Sequence, residues 1–180
     1  DALECRWHCR NAKLRGVQAE HGDYLFMHGE NIDVDGFRLN GNYSFQYCRN
    51  VVIRNAEIHS KDAFWNTEDV TVYDSVVDGE YLGWHSRNLR LVNCRISGTQ
   101  ALCYAENLVL ENCTLGEDAD LCFEYSSVHA EIKGRVHSVK NPRSGRIVAE
   151  EYGDIILDEH CKAPANCSIE TGKAQSGEAA

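Results

Sequence analysis

The stretch 88–106, NLRLVNCRISGTQALCYAE, decides the fold because nearly the whole sequence consists of copies of it. An earlier segment, residues 11–30, fits the same pattern with one extra residue. A fixed period of this length is typical of a solenoid, in which stacked repeats share one continuous core because no repeat buries its apolar face alone. The copies follow one another at 19-residue intervals without a gap and begin at Asn31, Asn50, Asp69, Asn88 and Asn107.

Each repeat contains two short runs of alternating apolar residues, at positions 2 and 4 and at positions 7 and 9, counted from its leading Asn or Asp. In 88–106 these are Leu89 and Leu91, followed by Cys94 and Ile96. Such alternation predicts strands with one buried face. Position 6 holds Gly, Asn or Asp, which tolerate left-handed backbone angles and therefore predict a corner between the strands.

A third strand is predicted after a polar loop, around position 15, where Phe45, Phe64, Gly83 and Leu102 recur. No stretch sustains the 3.6-residue apolar spacing of a helix. The sequence therefore predicts an all-β fold, a single-stranded right-handed parallel β-helix with about 19 residues and three short strands per coil.

The domain organisation follows from where the repeats begin and fade. With 180 residues, 43% hydrophobic residues and two prolines, the chain fits one globular domain. The repeats degrade after Tyr125, as expected for a terminal coil that caps the core. We predict a β-helix domain over residues 1–170, which forms the C-terminal part of a longer helix because the chain starts inside a repeat, and a disordered tail over 171–180.

The composition excludes several classes of function. A formal net charge of −10 disfavours nucleic acid as a partner because phosphates repel an acidic surface. No apolar run is long enough to span a membrane and residues 1–10 lack a signal-peptide core, so we expect a cytoplasmic protein without a membrane partner. The nine cysteines include no CxxC motif, and Cys5 with Cys9 lacks a second half-site. We therefore expect buried thiols, with no metal and no other cofactor.

Two polar columns are predicted to be structural. The leading Asn column would stack as an amide ladder from coil to coil. Position 19 alternates in sign, which places opposite charges above and below each side chain and fixes the register. The alternating residues are Arg10, Glu30, Arg49, Glu68, Arg87 and Glu106.

A strip of aromatic, His and Asn side chains recurs at positions 16 and 17 and, close by, at position 13. Strict alternation would send neighbouring members to opposite faces, but the polar members indicate that much of the strip is exposed. Rings and amides suit the flat apolar faces and the hydroxyls of sugars, whereas aromatic packing beneath a covering segment is the alternative. The last copy contributes Cys122 and Phe123 to these columns. We predict ligand binding by His28, Tyr47, Trp65, Asn66, Tyr81, Trp84 and Tyr104.

Three residues near this strip are candidates for catalysis. Asp62 and Glu80 could act as acid and base on a glycoside, and His85 could carry a proton. The alternative for Glu80 is a solvated loop acid, since its equivalents in other repeats are Asn42, Lys61 and Thr99.

Several motifs carry a resemblance to a known family. They are NYSFQY, DAFWNTE, EYLGWHSRNLRLVNC, ALCYAENLVLENC and KNPRSG. With them the chain resembles a bacterial family of right-handed parallel β-helix proteins that carries a domain-of-unknown-function label. The resemblance covers most of residues 1–170 and implies the fold, but no activity or site. More distantly, the stacking is similar to pectate-lyase-like enzymes, although their calcium-carboxylate and Arg arrangement is not recognisable here.

Two classes of function remain open. One is a β-helix that binds, and could process, an oligosaccharide or polysaccharide through the strip. The other is a non-catalytic scaffold that binds a protein partner. An acidic DNA mimic like some pentapeptide-repeat proteins ranks below both, because the five-residue rhythm fails at Tyr104 and Glu106. Similarity of fold favours sugars without establishing them.

Overall fold

The chain is a parallel β-solenoid of about nine coils with about 19 residues per coil, as seen in a computed structural model that describes residues 7–173. The prediction of a parallel β-helix is confirmed. Part of the predicted tail, residues 174–180, and Cys5 lie outside the described residues. The one helix among residues 7–173, the 3-10 turn Pro164–Asn166, is far too short to cross a lipid bilayer.

Two strand columns form two sides of the solenoid. The first side holds six-residue strands that pair in parallel with the coils above and below, namely β1 (Arg10–Arg15), β3 (Glu30–Asp35), β5 (Arg49–Arg54), β7 (Glu68–Tyr73) and β9 (Arg87–Val92). The second side holds three-residue strands, namely β2 (Gln18–Glu20), β4 (Arg38–Asn40), β6 (Glu57–His59), β8 (Val76–Asp78) and β10 (Arg95–Ser97).

The C-terminal coils join the two columns into longer strands. β11 (Leu108–Leu115) pairs with β9 on the first side and β10 on the second. Three further strands extend the first sheet, each parallel to the one before, namely β12 (Ser127–Lys140), β13 (Ser144–Ile156) and β14 (Cys167–Thr171).

The core is built from the predicted inward positions. Positions 2 and 4 are buried throughout the regular coils, and position 7 is buried from Phe37 to Cys113. Position 15 adds a column of stacked rings, in which Phe26, Phe45 and Phe64 follow one another at centroid distances of 4.9 and 5.6 Å. Because each of these rings is fully buried, each removes an apolar side chain from water and contributes about 2 to 3 kcal/mol.

The third side of each coil differs from the predicted strand. Its residues at positions 13, 15 and 17 have positive φ, for example 61°, 55° and 57° at Tyr43, Phe45 and Tyr47, so the segment is a series of turns. Each regular coil therefore has two strands, not three. Alternating apolar and polar residues also suit this conformation, because position 15 still points into the core.

In the coil that begins at Asn107, the third side is two residues longer than the 19-residue period predicts. The Phe123 N–H donates to the Ala101 carbonyl, the bond that Leu102 makes to Leu82 one coil earlier. Phe123 is therefore a buried core residue at position 15, and the prediction that it follows Tyr104 at position 17 was wrong. Tyr125 takes that place, with its ring tilted by 54° against Tyr104 at a centroid distance of 5.5 Å.

The leading Asn column forms the predicted amide ladder, on the surface of a corner. From Asn31 onward, each side-chain amide donates to the residue one coil earlier, as Asn31 does to Asn11 at 3.0 Å and Asn50 to Asn31 at 2.6 Å. All members have left-handed φ angles between 51° and 56°. The alternating charges of position 19 also pair across coils at 3.4 to 3.6 Å, but these exposed pairs contribute only about 0 to 1 kcal/mol each.

Replacing Asp69 by Asn should stabilise the protein. Asp69 accepts a hydrogen bond from the Asn88 amide at 2.7 Å, but its carboxylate has no proton to donate to Asn50. An amide there restores the donor, and we expect the free energy of unfolding in urea to rise by about 1 kcal/mol. Asp154→Asn, at an exposed strand position, controls for the loss of one negative charge. Equal stability of the two variants would contradict the ladder's role.

Candidate functional site

The third side is held by hydrogen bonds that run alternately to the coil on either side of it. In coil 50–68 the Phe64 N–H donates to the Ser44 carbonyl at 3.0 Å, whereas the Asn66 N–H donates to the Trp84 carbonyl at 2.9 Å. Left-handed φ angles at alternate residues produce these opposed N–H directions. Tyr, Phe and His seldom adopt such angles, so bonds repeated in every coil hold them there.

Position 17 forms a column of rings along one edge of this side, exposed as far as His85 and half-buried at Tyr104 and Tyr125. His8 and His28 stack at 4.9 Å with 6° between their planes, and His28 stacks on Tyr47 at 4.8 Å. Asn66 interrupts the column, which then resumes with His85 stacked on Tyr104 at 5.1 Å. We call this set the position-17 column; its members are His8, His28, Tyr47, Asn66, His85, Tyr104 and Tyr125.

Position 16 places side chains across the outer surface of the third side. The Trp84 indole N–H donates to the Gln100 carbonyl at 2.7 Å, and the Gln46 amide makes the equivalent bond to Asp62 at 3.2 Å. Trp65 stacks on Trp84 at 5.4 Å, and both indoles are half-buried. The two tryptophans therefore shield the backbone as well as offering ring surface, and Trp84→Ala would remove a hydrogen bond together with that surface.

Position 13 forms the opposite edge of the same side. Tyr24 and Tyr43 stack at 4.7 Å, and Tyr81 meets Trp84 edge-on at 5.1 Å. Tyr81, predicted to bind ligand, is thus half-buried against an indole at the edge away from the position-17 column.

The three predicted catalytic residues lie at both edges. Asp62, at position 13, is 8% exposed, and its N–H donates to the Glu80 carbonyl at 2.8 Å. The Glu80 carboxylate is exposed and pairs with Lys61 at 3.6 Å. His85 belongs to the position-17 column and contacts Trp65, Trp84 and Tyr104. Within residues 7–173, no hydrogen bond or ion pair joins His85 to either carboxylate.

The electrostatics of Asp62 follow from its burial. Desolvation raises the pKa of the Asp62 carboxyl, the Lys61 ammonium opposes the rise, and Glu80 adds to it. A carboxyl of this kind is suited to hold a proton at higher pH than an exposed acid. Its neighbours, however, are the Lys61–Glu80 pair and not the imidazole of His85.

A shallow groove of about 400 Å³ runs beside the position-17 column. One wall is the column from His28 to His85, and the other is the alternating charge column from Glu30 to Arg87. This stretch of the charge column has two acidic and two basic side chains, so the wall has no formal excess charge. No cluster of three or more metal-capable side chains occurs in the described part of the chain.

Comparisons with known proteins place the chain in a family. The family described as "Protein of unknown function (DUF3737)" matches residues 1–170. The chain belongs to this family. The resemblance drawn from the sequence motifs is thereby confirmed.

Curated proteins and solved structures add little to this assignment. A search of curated proteins finds no significant match. Among solved structures, this DUF3737 chain is similar to an alginate lyase from Paenibacillus sp. str. FPU-7, at 10% sequence identity and a TM-score of 0.42, with 89% of this chain and 72% of that chain covered. A likeness at this level carries no argument about activity.

Sequence reasoning missed two parts of the site in this DUF3737 chain. The charge column was interpreted only as a register device, although position 19 lies two residues from position 17 and therefore beside it in every coil. Tyr125 was missed because Phe123 occupies the place that an unbroken 19-residue period gives to it. The 21-residue interval between Tyr104 and Tyr125 was the only available signal.

Asp62→Asn should stabilise this DUF3737 chain at pH 7. A raised pKa in the folded state means that the charged carboxylate destabilises the fold above that pKa, and protonation relieves the cost as pH falls through it. The advantage of the variant in urea unfolding should thus be largest at neutral pH and disappear below about pH 4, the unfolded-state pKa. Glu80→Gln, at an exposed carboxylate, should give no such gain. An NMR titration showing Asp62 at or below the usual pKa would contradict this account.

Proposed function

We propose that the protein binds a carbohydrate in the groove beside the position-17 column. The observation that carries the proposal is an exposed row of phenol, imidazole and amide groups, continuous over several coils, along one wall of an open polar groove. Aromatic rings offer apolar contact to sugar C–H groups, and the amide and imidazole groups can hydrogen-bond to hydroxyls.

The charge column on the facing wall supports a neutral ligand. Its alternating guanidinium and carboxylate groups can hydrogen-bond to hydroxyls from either side, since one kind only donates and the other only accepts. Because their formal charges cancel along the groove, the wall has no net charge that would favour a charged ligand over a neutral sugar. The shallow, open shape also suits a ligand that remains partly in water.

The proposal is restricted to binding. Glu80 is paired with Lys61, and Asp62 lies at the edge away from the groove, so neither carboxylate faces the groove together with His85. The roles of Asp62, Glu80 and His85 in glycoside cleavage stay a prediction from sequence. No observation of the structure favours the protein-scaffold alternative over sugar binding.

Tyr47→Asn should weaken glycan binding while leaving the fold intact. Tyr47 is 43% exposed and lines the groove, and Asn tolerates its φ of 57°, as Asn66 does at the same position of the next coil. Loss of one aromatic contact worth about 0.5 to 1.5 kcal/mol should reduce affinity by about twofold to tenfold. Binding would be found on a glycan array and quantified by isothermal titration calorimetry.

Tyr24→Asn is the matched control for this experiment. Tyr24 is the same residue type with the same φ of 57° and one stacked neighbour, but it lies at position 13, outside the groove. It should bind glycan like the parent protein, with circular dichroism confirming that both variants are folded. Equal losses in the two variants would indicate a general structural effect. Absence of binding by the parent protein would overturn the proposal and favour the scaffold alternative.

A further inference from the structure

The spacing of the coils hides most ring faces in the position-17 column. The stacked rings of the column lie 4.8 to 5.1 Å apart along the solenoid, so each covers the face of the next and presents mainly its edge to solvent. A sugar that stacks on an aromatic ring needs an open face. An unbroken stretch of this column therefore offers poor stacking surface, however many rings it contains.

Asn66 opens one gap in this arrangement. Tyr47 is covered by His28 on one face, and its other face looks toward Asn66. His85 is covered by Tyr104 on one face and turns the other toward the coil of Asn66, whose Trp65 indole meets the His85 ring at a tilt, 5.4 Å away. The four members of the column from His28 to His85, which include Asn66, all line the groove. The Asn66 side chain is exposed and makes no hydrogen bond within the described chain, unlike the paired amides of the leading Asn column.

The width of the gap favours a puckered ring. Two steps of the column span about 10 Å between the planes of Tyr47 and His85, given ring steps of 4.8 and 5.1 Å. A flat aromatic ligand in contact with both rings needs only about 7 to 8 Å, at about 3.5 to 4.0 Å per contact. A pyranose is thicker, because axial groups project from both of its faces, and it fills the remaining space.

The surroundings of the gap leave one edge of such a ring open. Asn66 forms the floor of the gap. The Trp65 indole contacts His85 on one side, and Glu68, two residues along the chain, lines the groove on the other. A sugar held between the two rings therefore has three enclosed edges and one edge facing solvent. A glycosidic bond can leave only through the open edge.

We propose that the Asn66 gap is a slot for one terminal pyranose unit of a neutral glycan, held between the faces of Tyr47 and His85. The inference rests on the proposed function and adds to it where the sugar binds and which part of the chain is recognised. The amide of Asn66 hydrogen-bonds to the hydroxyls of the inserted edge. The remaining sugar units extend away from the protein.

The test is a variant that closes the slot by continuing the column. Asn66→His places an imidazole at a φ of 52°, close to the 57° and 58° of His28 and His85, with a ring above and below it. We expect unchanged or higher thermal stability together with at least a tenfold loss of affinity for the best array glycan. Asn66→Gly is the matched control, because it keeps the left-handed backbone and leaves the slot open. It should lose less than the His variant.

A second measurement separates recognition of a chain end from binding along the chain. The probes are the methyl pyranoside of the terminal sugar of the best array glycan, oligomers of two to six units, and a cyclic oligomer without an end. Affinities of the linear probes should agree within about threefold, and the cyclic probe should not bind. Affinity that rises steadily with length, or full binding by Asn66→His with a loss in Tyr47→Asn, would overturn the slot and leave the proposed function standing. No binding by the parent protein overturns both.

Discussion

Hydrogen bonding between coils, at about one strand spacing per coil, is the constraint on which the rest of the structure depends. It aligns residues 19 apart, so every position of the repeat becomes a column. Apolar columns form the core, the leading Asn column forms an amide ladder, and rings at position 17 are brought face to face. The same spacing therefore stabilises the fold and limits what the surface can bind, because stacked rings have covered faces.

The two strand sides could be predicted because their signal is local and repeated. The alternation at Leu89 and Leu91 predicts the buried face, and Asn93 at the corner predicts the left-handed turn. The third side could not be predicted in this way. Tyr43, Phe45 and Tyr47 are residue types that favour strands, but here they adopt left-handed backbone conformations that such residues disfavour. Coil-to-coil hydrogen bonds override that preference, and such bonds do not show in a single repeat.

The sequence predicted part of the membership of the candidate site, namely groove-lining residues of the position-17 column, but not its geometry or its charged wall. Periodicity assembled Tyr47, Asn66 and His85 into one column, and the structure places all three on the same groove. The periodicity did not indicate that Asp62 and Glu80 lie at the opposite edge, because this depends on the path of the backbone along the third side. In the sequence, Asn66 differed from the other members of the column only in being a polar residue without a ring. That it interrupts the stack becomes apparent only from the stacked rings on either side of it in the structure.

The measurement that tests the central claim most directly is the NMR spectrum of the bound sugar. A pyranose between Tyr47 and His85 has an aromatic face on each side, so ring currents should shift C–H protons on both faces of one terminal unit upfield, with saturation transferred to them from both residues. Shifts confined to one face, or spread over several sugar units, would contradict binding in the gap. They would indicate instead a glycan lying along the edges of the column.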